Sequence, residues 1–446
     1  MKKYKLSKYN VFVDKDPKGF IYNLLSNELF SFKHELFNYL KNSEGTVDES
    51  TLKPELINSL YSSNIILDET ENEINMLHYD YHKDKYDDSF ISLVIYATLK
   101  CNFNCHYCYE KHKNISMSDE KFDILKQFLI KESATRKFIA TRWSGGEPLL
   151  VWKKIYNTSL EIIDACKKNN CNYISSIVCN GYLLTETILD EMLSVHINSI
   201  QITLDGNPEN HNRVRFLKDG TGTFDRILQS IEMASKRMKV ILRLNIDKNN
   251  IHQFNELFEI LSKSKINKSN VRIFCKPVVC TIARIPENPL FSHEEFYSVE
   301  KKLIESATKN DLIYSFHWGV KSRKTRCVYH TLTGFLADPE LNLFRCPIYI
   351  GGDLEHKVGH IDNQGLHITN REEYLKTLSY SPFDLQECKE CKVLPICNGK
   401  CPVLWEISGR KKEEGCIPDK YSFEKKLKYA IENERQLEAL RNSTIN

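Results

Sequence analysis

Apolar and polar positions divide this chain into stretches of different period. From about 90 to 315, short apolar runs at 92–96, 137–142, 173–179, 199–204, 240–246 and 271–279 alternate with segments of helical period at 118–131, 151–169, 185–194, 224–237 and 251–264. This alternation predicts six βα units and a parallel sheet, an α/β fold of the open (β/α)6 TIM type. A ligand in such a sheet belongs at the carboxyl ends of the strands.

The first 88 residues read differently. Strands at 8–13 and 19–24 flank a turn at 14–18 that contains Pro17; helices at 32–41 and 49–62 precede a short strand at 64–67. A small winged-helix-like αβ unit accounts for this order, with a solubilising extension as the alternative. Residues 316–418 have little periodicity but hold seven cysteines, so a cofactor rather than an apolar core is expected to organise them. Residues 419–441 read as a terminal helix. The expected domains are 1–88, 89–315, 316–418 and 419–446.

A chain of 446 residues has ample capacity for a buried core. Its 62 basic and 59 acidic residues give no electrostatic signature of a nucleic-acid partner. No apolar stretch approaches the roughly 20 residues of a membrane span, and the N-terminus lacks the apolar core of a signal peptide. A cytoplasmic protein is expected, without nucleic acid or membrane as partner. Fifteen cysteines in a reducing compartment read as metal ligands rather than a disulfide framework.

The run Cys101-Asn-Phe-Asn-Cys105-His-Tyr-Cys108 offers three thiolates from one short loop. Zinc sites take four ligands, or three and a water, and usually mix in histidine. A 4Fe–4S cube held by three cysteines keeps one iron free for a ligand that is not protein. Bound there, S-adenosylmethionine can be cleaved to a 5′-deoxyadenosyl radical, with the protein supplying position and shelter.

Cys101, Cys105 and Cys108, with the aromatic Tyr107, resemble the cluster motif of the radical SAM superfamily, and Gly145-Gly146-Glu147-Pro148 resembles its GGEP turn. Cys179-Asn180-Gly181 stands where relatives carry T-N-G. Thr203-Leu204-Asp205-Gly206 resembles their S-L-D-G element. The resemblance implies S-adenosylmethionine contacts from Tyr107, Gly145, Gly146, Glu147, Asn180, Thr203, Arg215 and Asn245. Glu147 would accept from the methionine ammonium group, Thr203 would bind the methionine or ribose, Arg215 the methionine carboxylate, and Asn245 the ribose. For Arg213 a solvated charge is the expected role, and for Asp205 a turn-forming Asp-Gly stands beside ligand contact.

The later cysteines resemble the SPASM domain, which holds two auxiliary 4Fe–4S clusters. By that resemblance Cys388, Cys391, Cys397 and Cys416 ligate the distal cluster, and Cys327, Cys346 and Cys401 the nearer one, for three clusters in all. Leu341 stands where many relatives have a glycine, five residues before Cys346, so that turn is expected to differ. Cys275 and Cys280 are possible further donors, with buried core cysteine the expected role; Cys166 and Cys171 are expected to do nothing chemical.

The first residues, K-Y-N-V-F-V and Y-N-L-L-S-N-E-L-F, resemble leader-binding regions of radical SAM/SPASM peptide maturases. The resemblance implies a precursor peptide with a leader as partner, an external reductant such as flavodoxin or ferredoxin, and a cross-link as product, a cysteine thioether or a carbon–carbon bond. Formylglycine formation of the anaerobic sulfatase type is the alternative. Those enzymes place an aspartate base after the cysteine matching Cys346, and here Pro347 cannot take a proton; Asp353 or His356 could substitute. An iron–sulfur electron carrier or leader-binding scaffold without catalysis is the reading from another class.

Overall fold

A computed structural model describes residues 3–43, 45–48, 50, 52–108, 110, 112–278, 291–315, 327–352, 354–409, 415–417 and 419–442. Cys280 and Asp353 lie outside the described residues. The chain forms two compact units, one of Met1–Asp84, Ser315–Arg326 and Ser381–Asn446, the other of Lys85–Tyr314 and Cys327–Tyr380.

The second unit is built on one sheet. The six expected strands are Phe90–Thr98, Phe138–Gly145, Asn172–Val178, Ile197–Thr203, Lys239–Ile246 and Val271–Pro277, paired in parallel in that order, with Ile313–Tyr314 added beyond the sixth. Strand residues such as Ile95, Trp143, Ile177, Ile202, Leu244 and Ile273 are buried, as expected of a parallel sheet covered by helices. The helix Asp119–Ser133 starts where Ser118 accepts from the Lys121 amide, and Glu186–Ser194 where Thr185 accepts from Ile188.

Beyond the first strand, Gly334–Ala337 pairs in parallel with Phe90–Thr98, and Asn342–Phe344, Gly359–Asp362 and Gly365–Ile368 continue the sheet antiparallel. These strands of three or four residues are too short to show a period, which is why this stretch reads as irregular in the sequence. The turn before Cys346 keeps a left-handed residue, with Leu341 itself at φ +62° and fully buried. Asp338 holds the turn, its carboxylate accepting from the Glu340 and Asn342 amides and from Asn342 Nδ2. The expected change of turn is thus a change of residue in an unusual conformation, favoured by glycine.

In the first unit, Asn10–Lys15, Lys18–Asn23 and Glu28–Lys33 form an antiparallel meander, and Thr46–Asp48, Lys3–Leu6 and Ile66–Asp68 a second sheet. Helices His34–Asn42 and Pro54–Ser62 match the expected ones; the strands Lys3–Leu6, Glu28–Lys33 and Thr46–Asp48 and the helix Glu73–Lys85 are additional. Tyr9, Val11, Val13, Phe20, Tyr22 and Leu24 of the meander share a core with Phe423, Leu427, Ala430 and Ile431. The expected terminal helix is two, Asp419–Glu432 and Glu434–Asn442.

Candidate cofactor site

The Cys101–Cys108 loop leaves the carboxyl end of the first strand, and the chain folds the second strand end onto it. The Thr98 carbonyl accepts from the Gly146 amide at 3.0 Å and the Lys100 carbonyl from Glu147 at 2.8 Å. A Cβ at Gly145 or at Gly146 would stand 2.2 Å from the Thr98 or Lys100 oxygen, and Gly145 has φ +126°. The close approach these glycines permit is therefore to the backbone that leads into Cys101.

Glu147 is fully buried. Its Oε1 accepts from the Leu149 amide at 2.9 Å and its Oε2 from Asn180 at 2.7 Å. Burial pushes this carboxyl up to about 7, against the pull of those amides and of Arg215. Asn180 in turn donates from Nδ2 to Asn102 Oδ1 at 2.7 Å and accepts from the Tyr182 amide. Asn102 Nδ2 is buried without a partner.

Tyr107 joins the loop to the fourth and fifth strand ends. Its hydroxyl donates to Asp205 Oδ2 and accepts from Arg215 Nη1 at 2.6 Å and from Asn245 Nδ2 at 3.2 Å. One donor and two acceptor positions are all a phenol has. Burial drives its pKa well up, which keeps it a donor. Asp205 Oδ1 accepts from the Asn245 amide at 2.9 Å, so Asp205 is a buried anchor rather than a solvent-facing turn residue. Arg215 lies 3.9 Å from Asp205, its guanidinium over the Phe103 ring, and its Nε is buried without a partner.

Behind Arg215 a relay fixes the backbone. The Asp205 amide donates to His211 Nδ1 at 3.2 Å, leaving the ring proton on Nε2 to donate to Thr223 Oγ1 at 3.1 Å; Thr223 donates to the Arg215 carbonyl at 2.9 Å. Burial holds His211 well below its ordinary pKa, consistent with a neutral ring. Thr203 ends its strand in register with Arg243, whose Nε donates to Asn245 Oδ1. Arg213 donates to Asn210 Oδ1.

Of the cluster-loop cysteines, Cys101 is buried and Cys105 and Cys108 half-buried, and burial pushes Cys101 and Cys108 up to about 12. Cys101 Sγ accepts from the Phe103 amide at 3.4 Å. All fourteen described cysteines are free thiols. Cys275 is core, Cys166 is buried in the last turn of the helix Trp152–Lys168, and Cys171 is buried just beyond that helix end.

In the first unit, Cys388, Cys391, Cys397 and Cys416 line one cavity together with Lys400 and Lys420. Cys401 does not line it; its amide donates to Gly415 at 2.7 Å. Among the described residues no three His, Cys, Asp or Glu side chains stand close enough to ligate a single metal ion. A cube binds its cysteines on separate irons and so accepts a wider spacing. Cys327 and Cys346 lie in the second unit, tied by Arg345, which is buried and donates to the carbonyls of Tyr329, Thr331 and Gly334 and to Thr377 Oγ1. The S-L-D-G resemblance pointed at Asp205, although as a turn residue or ligand contact rather than a buried anchor; the roles of the His211–Thr223 relay and of Arg345 were not assigned from the sequence.

Residues 95–261 match the family model described as the Radical SAM superfamily. The radical SAM cyclopropyl synthase TigE of Paramaledivibacter caminithermalis is 22% identical over 443 residues, covering 89% of each chain. Native anSMEcpe with bound AdoMet and Cp18Cys peptide superposes with a TM-score of 0.58 at 17% identity, over 79% of this chain and 99% of that one. Streptococcus suis SuiB bound to precursor peptide SuiA gives 0.50 at 16% identity, over 90% and 96%.

Proposed function

For a chain that carries a radical SAM domain and is a radical SAM enzyme, we propose that the substrate is a ribosomally made precursor peptide. Cys101, Cys105 and Cys108 hold the SAM-binding cluster, and the site fits the cofactor. Three thiols share one loop, Asn102 Nδ2 and Arg215 Nε are buried polar atoms with nothing to bond, and a guanidinium suits a carboxylate. Bound there, S-adenosylmethionine supplies the 5′-deoxyadenosyl radical that takes hydrogen from a peptide carbon. Arg215 binds the methionine carboxylate, Asn245 and Thr203 face the sugar side, and Glu147 braces the loop by holding the Leu149 and Asn180 amides.

Cys388, Cys391, Cys397 and Cys416 ligate one auxiliary cluster, and Cys327 and Cys346 contribute thiolates to a second. Residues 1–88 recognise the leader, 89–315 form the core, 316–418 carry the auxiliary clusters and 419–446 brace the first unit. The observation that carries the peptide reading is the edge strand Glu28–Lys33, paired on one side only among the described residues. Such an edge takes an extended peptide as an added strand. A cytoplasmic location and a flavodoxin or ferredoxin as reductant complete the proposal; among the described residues no helix is long and apolar enough to cross a membrane.

The product is a cross-link, in the first reading a cysteine thioether. A relative that aligns over 89% of the chain is named for a cyclopropyl group, which favours carbon–carbon closure as the second reading. Incubation with a short candidate precursor peptide, such as one found encoded beside the gene, followed by mass spectrometry, decides. Loss of two hydrogens at a residue that does not react with hydrazide supports cross-linking. A hydrazide-reactive carbonyl identifies formylglycine instead, and 5′-deoxyadenosine release with an unchanged peptide removes the peptide reading.

A further inference from the structure

Arg215 and Asp205 are opposite charges buried together, yet they do not bond directly. Their nearest atoms, Nη1 and Oδ2, are 3.9 Å apart, whereas a charge-assisted N–H···O contact closes to about 2.8 Å. Between them stands the Tyr107 hydroxyl, which accepts from Arg215 Nη1 at 2.6 Å and donates to Asp205 Oδ2. Asn245 adds its own Nδ2 to the same oxygen at 3.2 Å, while its backbone amide occupies Asp205 Oδ1. Both charged partners are thus satisfied through the phenol, and Arg215 Nε is left buried and unbonded.

Without that oxygen, roughly 1 Å of movement would join guanidinium to carboxylate directly. In a buried site such a pair is strong, and a third charged group must then compete with it. We propose that Tyr107 is a spacer, a positioning residue that holds Arg215 off Asp205 and so keeps the guanidinium open to the carboxylate of the bound ligand. The ligand is S-adenosylmethionine on the reading above, on which this inference rests. Because Tyr107 lies between Cys105 and Cys108, the same residue couples the cluster loop to the carboxylate seat.

The test is calorimetric binding of S-adenosylmethionine to the anaerobically reconstituted full chain, with iron and sulfide content measured in every variant. Tyr107→Phe keeps the ring and removes the spacer; affinity is expected to fall tenfold or more at unchanged iron content. Adding Asp205→Asn to it removes the competing anion, and affinity is expected to recover to within about threefold of wild type. A merely structural or direct-contact role for Tyr107 predicts no recovery, so an unrescued double variant overturns the spacer, as does a Tyr107→Phe chain that binds like wild type. Should Tyr107→Phe fail to load iron, Asp205→Asn alone decides: binding at least as tight as wild type is expected, and weaker binding overturns the proposal. A wild-type chain with full iron content that does not bind S-adenosylmethionine would instead overturn the underlying reading of the site.

Discussion

The Asn180 amide donates to Glu147 Oε2 at 2.7 Å, so the third strand end is held by a carboxylate from the second. With Oε1 on Leu149 and the Glu147 amide on Lys100, one buried side chain fixes the turn that braces the cluster loop.

That burial has a pH signature. The carboxyl titrates at about 7 in the fold against an ordinary 4.5, so the folded chain holds this proton more tightly than the unfolded one. The stabilising contribution is complete below about 4.5 and is lost as pH rises through about 7. Relative to Glu147→Gln, wild-type metal-free protein is expected to lose melting temperature steadily across that window. A difference that is flat, or that grows with pH, would contradict the assignment.

Leu341 sets two effects of known sign against each other. Truncation to alanine removes a fully buried side chain, at a cost of about 2–5 kcal/mol. Leu341→Gly loses one carbon more, but glycine takes φ +62° without the roughly 1 kcal/mol that a side chain costs there. Both variants are expected to be destabilised in chemical unfolding, with the glycine variant the more stable by up to about 1 kcal/mol. Leu341→Ala matching or exceeding Leu341→Gly would show that the turn is not under conformational tension.

The C-terminal cysteines and the N-terminal meander share one core. Cys391 and Cys397 pack beside Tyr9, Val11, Tyr22 and Leu427, and Cys388 packs with Tyr81 and Leu394. Filling the four-cysteine cavity should therefore stiffen the meander, since cluster binding and folding are coupled. Stripping iron with a chelator is expected to speed amide exchange in Asn10–Lys15 and Lys18–Asn23 by about tenfold or more. Equal exchange with and without iron would separate the two elements.

The central strands were legible because each is a run of apolar residues closed by turn or helix-capping residues, and the cluster loop because three cysteines so spaced have few other uses. What was not legible is what burial hides behind polarity. The helix Glu73–Lys85 buries Glu73, Tyr81 and Lys85, so its inward face does not look apolar. Arg345 and Asp205 are charged residues with almost no exposed surface, and nothing local marks them as interior. The edge strand Glu28–Lys33 has no fully buried position, which leaves it without an alternating apolar face. Asn433 divides the terminal helix although the charge pattern runs on.

The central claim is that Cys101, Cys105 and Cys108 would hold the cluster that, once reduced, supplies the electron for reductive cleavage of S-adenosylmethionine. The direct measurement is 5′-deoxyadenosine, quantified by mass spectrometry after anaerobic incubation of the iron-loaded full chain with S-adenosylmethionine and dithionite. The account predicts its formation by wild type and its loss when the three cysteines are replaced by alanine, with the four-cysteine cavity still loaded. No 5′-deoxyadenosine from fully loaded wild type, or the same amount from the triple variant, would contradict it.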